Sequence, residues 1–452
     1  MKAEHNELIT RVGPGTPCGQ LMRKYWQPIA LVDEFDPRFD PAMDKRPVKP
    51  VRSLGQDMVL FRDNQGAWGL IDRGCPHRGA DMGYARYEDD GLRCPFHGWK
   101  FSTSGECTDT PGEPAGSHLC KHVRARNYPV QERSGVVFAW LGDEGSVPPP
   151  LPALDCLTAP GTHTFAFKGL WNCNWLQAFE VGIDPVHASF LHRFFNDETL
   201  DAAYGRQFRG ASLGVLNGER VPMTKVMREF CQPDIQFEST DLGWRLNTQR
   251  RLNDELTHVR VTQAIFPNTF VIPLSETITI TQMHMAVDDT HNYWYAFFTS
   301  FADPLDKEAM RNQRLEAVSL PDYIPKAGQH NNWGFNAEEQ RTATFLGMGE
   351  SDINVHDQWA CESMGAIQDR TQEHLGTSDK VIMANRRMLI KAIESVQAGG
   401  PAPGLANPVV AGSRHGPDTV DGIAPSSDTA SWWQNAVAKK RADAPWPAAI
   451  NN

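Results

Sequence analysis

Cys75-Pro76-His77-Arg78-Gly79 and Cys94-Pro95-Phe96-His97-Gly98-Trp99 put two cysteines and two histidines into the first quarter of the chain. Sixteen residues separate His77 from Cys94, and a glycine closes each group, Gly79 and Gly98. Thiolates are soft anionic donors that suit one iron of a [2Fe–2S] unit. Two neutral imidazoles on the second iron remove negative charge and raise its potential. The expected centre is a one-electron relay held by Cys75, His77, Cys94 and His97 on two loops. A Cys₂His₂ zinc site uses the same residue types, but zinc fingers pair Cys with Cys and His with His along the chain.

Around these loops the chain is an ordinary globular one. It has 452 residues, 40% of them hydrophobic, enough for two or three domains. A net charge of −11, from 44 basic and 55 acidic residues, disfavours nucleic acid or an anionic membrane as partner. The N-terminus Met1-Lys2-Ala3-Glu4 has no apolar signal core, and no apolar run is long enough to span a bilayer, so a cytoplasmic enzyme is expected. Nine cysteines at irregular spacing do not form a disulfide framework. His118, Cys120 and His122 alternate as on one strand face but lack a second donor set, so the remaining cysteines read as idle thiols.

From Val48 to Leu141, short apolar stretches such as Met58-Val59-Leu60-Phe61 and Gly135 to Trp140 predict a small antiparallel β domain. Val147-Pro148-Pro149-Pro150-Leu151-Pro152 then interrupts it, because prolines lack the amide hydrogens a ladder needs. Beyond lie strand-like runs at His258 to Thr262 and Glu276 to Thr281, and a more continuously apolar Asn292 to Phe298 that suits a central strand. A helix is predicted from Ser378 as N-cap, with Ile382, Leu389, Ile393 and Val396 on one stripe. After Gly399 the composition turns to Gly, Pro, Ala and Ser, which predicts an extended arm. No Gly-x-Gly-x-x-Gly follows a predicted strand, so electrons are expected from a separate protein.

A second site stands at Asp184-Pro185-Val186-His187-Ala188-Ser189-Phe190-Leu191-His192. Two imidazoles and one carboxylate on one face of Fe(II) leave open positions for dioxygen. On an ideal helix His187 and His192 point about 140° apart, so they converge only if the helix is distorted or ends. Asp184-Pro185 also reads as an N-cap and first helical position. For a carboxylate substrate the guanidinium candidates are Arg209, Arg245 and Arg250, and Trp171, Trp175 and Phe179 are candidate walls of an aromatic cavity.

The two Cys/His groups resemble the Rieske family in its oxygenase form. Ala80 and Phe96 stand where the respiratory type carries its extra disulfide cysteines. Gly13-Pro14-Gly15-Thr16-Pro17, Tyr25-Trp26-Gln27-Pro28 and Asp369-Arg370-Thr371-Gln372-Glu373-His374-Leu375-Gly376 extend the resemblance to the phthalate 4,5-dioxygenase-like branch of Rieske non-haem iron aromatic oxygenases. That branch includes dehydrodivanillate O-demethylase-type oxygenase components. The resemblance implies an α+β fold, with an all-β Rieske domain at 48–146 and a helix-grip catalytic domain, an antiparallel sheet with helices, at 156–398. Residues 1–47 would form a helical or extended segment, 147–155 a Pro-rich linker and 399–452 a C-terminal arm.

The resemblance further implies one Rieske [2Fe–2S] cluster and one mononuclear Fe(II) held by His187, His192 and Asp357, with Asp352 and Glu362 as alternative carboxylates. It gives Asp184 the role of linking His187 to His97 of the partner subunit, in a homotrimer or stacked trimers. The implied activity is that of a terminal oxygenase component fed by a separate reductase, with or without a ferredoxin, acting on an aromatic acid with O₂. O-demethylation of a lignin-derived methoxy acid is favoured over ring dihydroxylation of a phthalate isomer. A steroid or alkylamine oxygenase, with an apolar pocket lacking arginine, and an electron-transfer ferredoxin with an appended binding domain are the competing readings.

Overall fold

The computed structural model describes residues 1–197, 212–216, 219–349, 352–405 and 416–446. Three small antiparallel sheets form the first part. Trp26–Leu31, Val136–Trp140 and Val130–Arg133 make one, and Val48–Ser53, Gln56–Arg62 and Trp68–Asp72 make the second. The third, Arg86–Glu88, Gly91–Arg93, Lys100–Phe101 and Cys107–Asp109, has the second Cys/His loop between its middle strands. Trp26–Leu31 lies within the expected N-terminal segment, yet it is paired with Val136–Trp140 and so belongs to the β part.

The second part is an eight-stranded antiparallel sheet. Its strands run Thr164–Trp171, Asn292–Ser300, Ile278–Ala286, Thr269–Pro273, Leu256–Ile265, Gly243–Arg251 and Asp234–Thr240 in spatial order, with Val420–Pro425 also paired to Leu256–Ile265. Asn292–Ser300 is interior to the sheet and almost wholly buried, as its continuous apolar run requires. Helices Trp175–Gly182 and Lys380–Gln397 pack against the sheet. The α+β expectation, all-β first and an antiparallel sheet with helices second, describes the molecule.

Three local expectations differ from what is observed. The long helix starts at Lys380, and Ser378 lies in a 3₁₀ turn, Thr377–Asp379, where Asp379 accepts from the Gly376 amide at 2.6 Å. Leu119–His122 is also a 3₁₀ turn, which removes the strand alternation of His118, Cys120 and His122; the Cys120 thiol instead lies against Cys107. Among the described residues, 416–446 are not an extended arm. Val420–Pro425 completes the sheet and Thr429–Ala442 is a helix whose Trp433 and Val437 are buried against Val259 and Val261. Its Gly and Pro content had hidden a strand with buried Asp421 and Ala424. Among the described residues no helix is long and apolar enough to cross a membrane.

The two parts share a core. Ile9, Leu21 and Leu70 lie in the same apolar cluster as Trp175, Phe179 and Leu389. The turn at Leu54 and Gly55 donates its amides to the Ala286 and Val287 carbonyls, both at 2.8 Å. A buried ionic contact lies across the same boundary. Glu34 accepts from Lys168 of the large sheet at 2.6 Å and pairs with Lys49 of the small one at 2.8 Å. Burial pushes the Glu34 carboxyl up, but the two ammonium groups outweigh it and hold it below the usual glutamate range.

Its stabilisation is therefore complete at neutral pH and lost as pH falls through the lowered value. Replacing Glu34→Ala leaves the buried Lys168 ammonium unpaired, and a loss of about 3–5 kcal/mol is expected. Urea denaturation at pH 7 measures it; a midpoint equal to that of the unsubstituted chain would show that the contact does not hold the two parts together.

Candidate active site and metal centres

The two Cys/His loops are built alike. In the first, the Cys75 amide donates to Ala80 and the Gly79 amide to Cys75, both at 2.8 Å. In the second, Cys94 donates to Trp99 at 2.8 Å and Gly98 to Cys94 at 3.0 Å. Gly79 and Gly98 each have φ of +76°, the left-handed turn that only glycine enters without strain. The loops bring the four predicted side chains together. Cys75 and Cys94 are buried with their thiols in contact, while the His77 and His97 rings are 4.5 Å apart at the tip. Trp99 stacks on His77 at 4.3 Å and 10°. A thiol pair below and an imidazole pair above suit the two unlike irons of a mixed-ligand cluster. His97 and Phe96 are exposed.

The second site begins where a helix stops. Asn174 caps Trp175–Gly182 by accepting from Leu176, and the helix ends as Gly182 meets Phe270. A Cβ on Gly182 would lie 1.9 Å from the Phe270 ring. No α-helix starts at Asp184-Pro185. Asp184 Oδ1 accepts from the Val186 amide at 2.8 Å in a turn, and only a 3₁₀ turn, His187–Ser189, follows. The break removes the angular conflict between the histidines, whose rings are 5.1 Å apart.

Asp357 arrives from the helix Asn354–Glu362. Its Oδ1 is 3.2 Å from His192 Nε2 and 3.8 Å from His187 Nε2, and ligand atoms of all three lie within 4.8 Å of one another. That oxygen is buried and has no hydrogen-bond partner. Burial pushes the Asp357 carboxyl up, but the histidines around it keep it below the usual range, and burial keeps His187 neutral. His187 Nδ1 is 2.6 Å from the Asp184 carbonyl, which leaves its Nε2 bare. Two bare imidazole nitrogens and an orphaned carboxylate oxygen are the donor set a divalent iron takes. Of the alternative carboxylates, Glu362 is engaged by Asn172 at 2.8 Å and Trp333 at 2.7 Å, and Asp352 accepts from the Asn354 amide. It is the carbonyl of Asp184, not its carboxylate, that meets His187.

Two concavities meet here, both lined by Val181, Asp184 and His187. One is the more sheltered, a cavity of about 120 Å³ walled by Trp171, Phe270 and Ile272. The other is an open trough of about 590 Å³. Trp175 and Phe179, expected as possible cavity walls, are core residues, and Trp171 alone of the three reaches the cavity. Arg209 lies outside the described residues. Arg245 turns to the other sheet face and is spent on Glu238 and Asp418. Arg250 is 2% exposed and donates to the Phe230 and Pro185 carbonyls behind the cavity.

The guanidinium that reaches the cavity is Arg260, which sequence reasoning missed. It lies opposite Thr248 and, across its other edge, opposite Asp421, to which it is paired. Strand parity put Arg260 on one face with His258 and Thr262, but nothing in the sequence said which face is inward. His356 was also missed, although it adjoins Asp357. Its Nδ1 is 3.0 Å from His192 Nδ1, and burial pushes its ring down to about 3.

Comparison with known proteins agrees with this architecture. Residues 26–129 match the Rieske [2Fe-2S] domain, and residues 139–446 match the family described as LigXa C-terminal domain like. The chain is 31% identical to the phthalate 4,5-dioxygenase oxygenase subunit of Pseudomonas putida, over 90% of this chain and 89% of that one. It is also 31% identical to the 5,5'-dehydrodivanillate O-demethylase oxygenase subunit of Sphingobium sp., over 88% and 82%. Among solved structures, dicamba monooxygenase bound to dicamba superposes with a TM-score of 0.54 at 15% identity, over 83% of this chain and 98% of that one. The chain belongs to the Rieske non-haem iron oxygenases, in the phthalate 4,5-dioxygenase-like branch, and its cofactors are one Rieske [2Fe–2S] cluster and one mononuclear iron.

Proposed function

We propose that this chain is the terminal oxygenase component for an aromatic carboxylate, with Cys75, His77, Cys94 and His97 holding the cluster and His187, His192 and Asp357 holding the iron. Asp357 Oδ1 carries the reading, because a buried carboxylate oxygen without a hydrogen-bond partner faces two imidazole nitrogens. When bound, the iron supplies reductive activation of O₂, with electrons arriving singly through the cluster. The protein's own residues do the selecting. Trp171, Phe270 and Ile272 exclude water and take a ring, and Thr248, Thr262 and Gln282 add polar contacts. Arg260 receives the substrate carboxylate. Only its Nη1 is engaged by described residues, Met223 and Asp421, so the rest of its fork is available for charge-assisted bonds.

Within the aromatic acids, we favour O-demethylation of a lignin-derived methoxy acid of the dehydrodivanillate kind, with ring dihydroxylation of a phthalate isomer as the second reading. The relatives named above carry both activities in their names, and the same donor set serves either. Electrons come from a separate reductase, directly or through a ferredoxin. We also place the chain in a head-to-tail ring, trimeric or of stacked trimers. The exposed His97 and Phe96 form a tip, and the trough at Asp184 is flanked by exposed Phe190, Phe345, Met364 and Leu375, an apolar seat of matching character. Asp184 then stands between His187 and His97 of the partner subunit, its backbone carbonyl orienting the first ring and its carboxylate facing the second.

Feeding the reduced protein methoxylated aromatic acids and phthalate isomers, with a surrogate reductase, separates the two reactions. Formaldehyde matching NADH consumed is expected, and a dihydrodiol without formaldehyde would select ring dihydroxylation. Replacing Arg260→Met should raise KM for the acid by about 10–100-fold with a smaller change in kcat, since a charge-assisted bond contributes about 1.5–3 kcal/mol. An unchanged KM would remove Arg260 from recognition. Asp184→Asn is expected to keep iron content and the Rieske EPR signal while turnover drops at least about 10-fold; normal turnover would end the bridging role.

A further inference from the structure

We propose that His356 is a positioning residue that fixes which nitrogen of His192 faces the iron position. The inference rests on the reading of His187, His192 and Asp357 as the iron site. The His192 and His356 rings meet Nδ1 to Nδ1 at 3.0 Å, with centroids 5.2 Å apart and planes within 19°. That is the separation of two rings touching edge to edge in nearly one plane, the geometry of an N–H···N hydrogen bond. Such a contact holds a single proton, so one of the two Nδ1 atoms is an N–H and the other is bare.

The far edge of His356 decides which. Its Nε2 is 2.5 Å from the Met348 carbonyl, and a carbonyl oxygen only accepts, so Nε2 carries a proton. The ring is 0% exposed and its two hydrogen-bond partners are a carbonyl and a ring nitrogen, neither of them an anion. A neutral imidazole has one N–H, and His356 has placed it on Nε2. Its Nδ1 is therefore the acceptor, and His192 Nδ1–H is the donor. The lone pair of His192 is left on Nε2, 3.2 Å from Asp357 Oδ1.

His187 reaches the same state by a shorter route, through the Asp184 carbonyl at 2.6 Å. One ligand is thus oriented by backbone and the other by a side chain, and only the second can be removed by substitution. Consecutive residues of the helix Asn354–Glu362 divide the work: Asp357 faces the iron position and His356 backs the opposing ligand. Second-layer partners of this kind fix the tautomer and raise the donor strength of metal-bound imidazoles.

The test uses the full chain with its cluster assembled and the mononuclear site emptied, titrated anaerobically with Co(II). His356→Leu, which removes the acceptor, is expected to weaken binding about 10–100-fold, and His356→Gln, whose amide oxygen accepts from His192 Nδ1, to restore most of it. With Cu(II) in the site, the electron spin-echo modulation of the remote His192 nitrogen should change in His356→Leu and return toward its original form in His356→Gln. Unweakened Co(II) binding and an unaltered remote-nitrogen signal in His356→Leu would overturn the proposal. His192→Ala separates the two readings. If it binds Co(II) as tightly as the unsubstituted chain, the iron-site assignment fails; if it loses the metal while His356→Leu keeps it, only the positioning role fails. Should His356→Leu not fold, judged by the Rieske EPR signal and circular dichroism, His356→Phe makes the same comparison.

Discussion

A helix that stops at Gly182 sets the geometry of everything downstream. The chain runs so close to Phe270 that no side chain fits there, and the next residues turn instead of coiling. Had the helix continued, His187 and His192 would point in different directions and Asp184 would lie on its flank. The stop delivers all three into one concavity and leaves Phe270 as a wall of the smaller cavity. The same ring that ends the helix thus shapes the space beside the donors.

The charges around that space are arranged in layers. The donors themselves are two imidazoles and one carboxylate whose Oδ1 has no hydrogen-bond partner. Further along the strands lie Arg250, Arg260, His258 and Asp421, a cluster in which burial pushes Arg250 down to about 10 and the cations hold Asp421 low despite its burial. Two guanidinium groups and one carboxylate leave this inner face positive overall, on a protein whose formal net charge is −11. The cavity wall itself carries Arg260 together with the carboxylates of Asp184 and Asp357.

Much of this was legible in the sequence, for physical reasons. The cluster loops are short, and their Cys-x-His and Cys-x-x-His spacing is set by reach within one turn, so local order is enough. The alternation at His258 to Thr262 and the apolar run at Asn292 both marked true strands. What escaped was non-local. Whether Arg245, Arg250 or Arg260 faces the cavity depends on which side of the sheet is covered, and that is decided by segments far away in the chain. His356 looked like a neighbour of Asp357 and acquired meaning only once a loop near Met348 and a turn near His192 had been brought to it. The C-terminal strand was misread because its glycine and proline are those of a linker, while its pairing with Leu256–Ile265 comes from the partner strand.

That last strand has a consequence for how the molecule is made. Asp421, the carboxylate that faces Arg260, leaves the ribosome more than 150 residues after its partner. Until Val420–Pro425 docks, one edge of Leu256–Ile265 is open along most of its length and the inward guanidinium lacks its Asp421 partner. The donors for iron, ending at Asp357, are all synthesised earlier. The order of synthesis thus puts the side chains that would hold metal ahead of the carboxylate that neutralises the inward guanidinium.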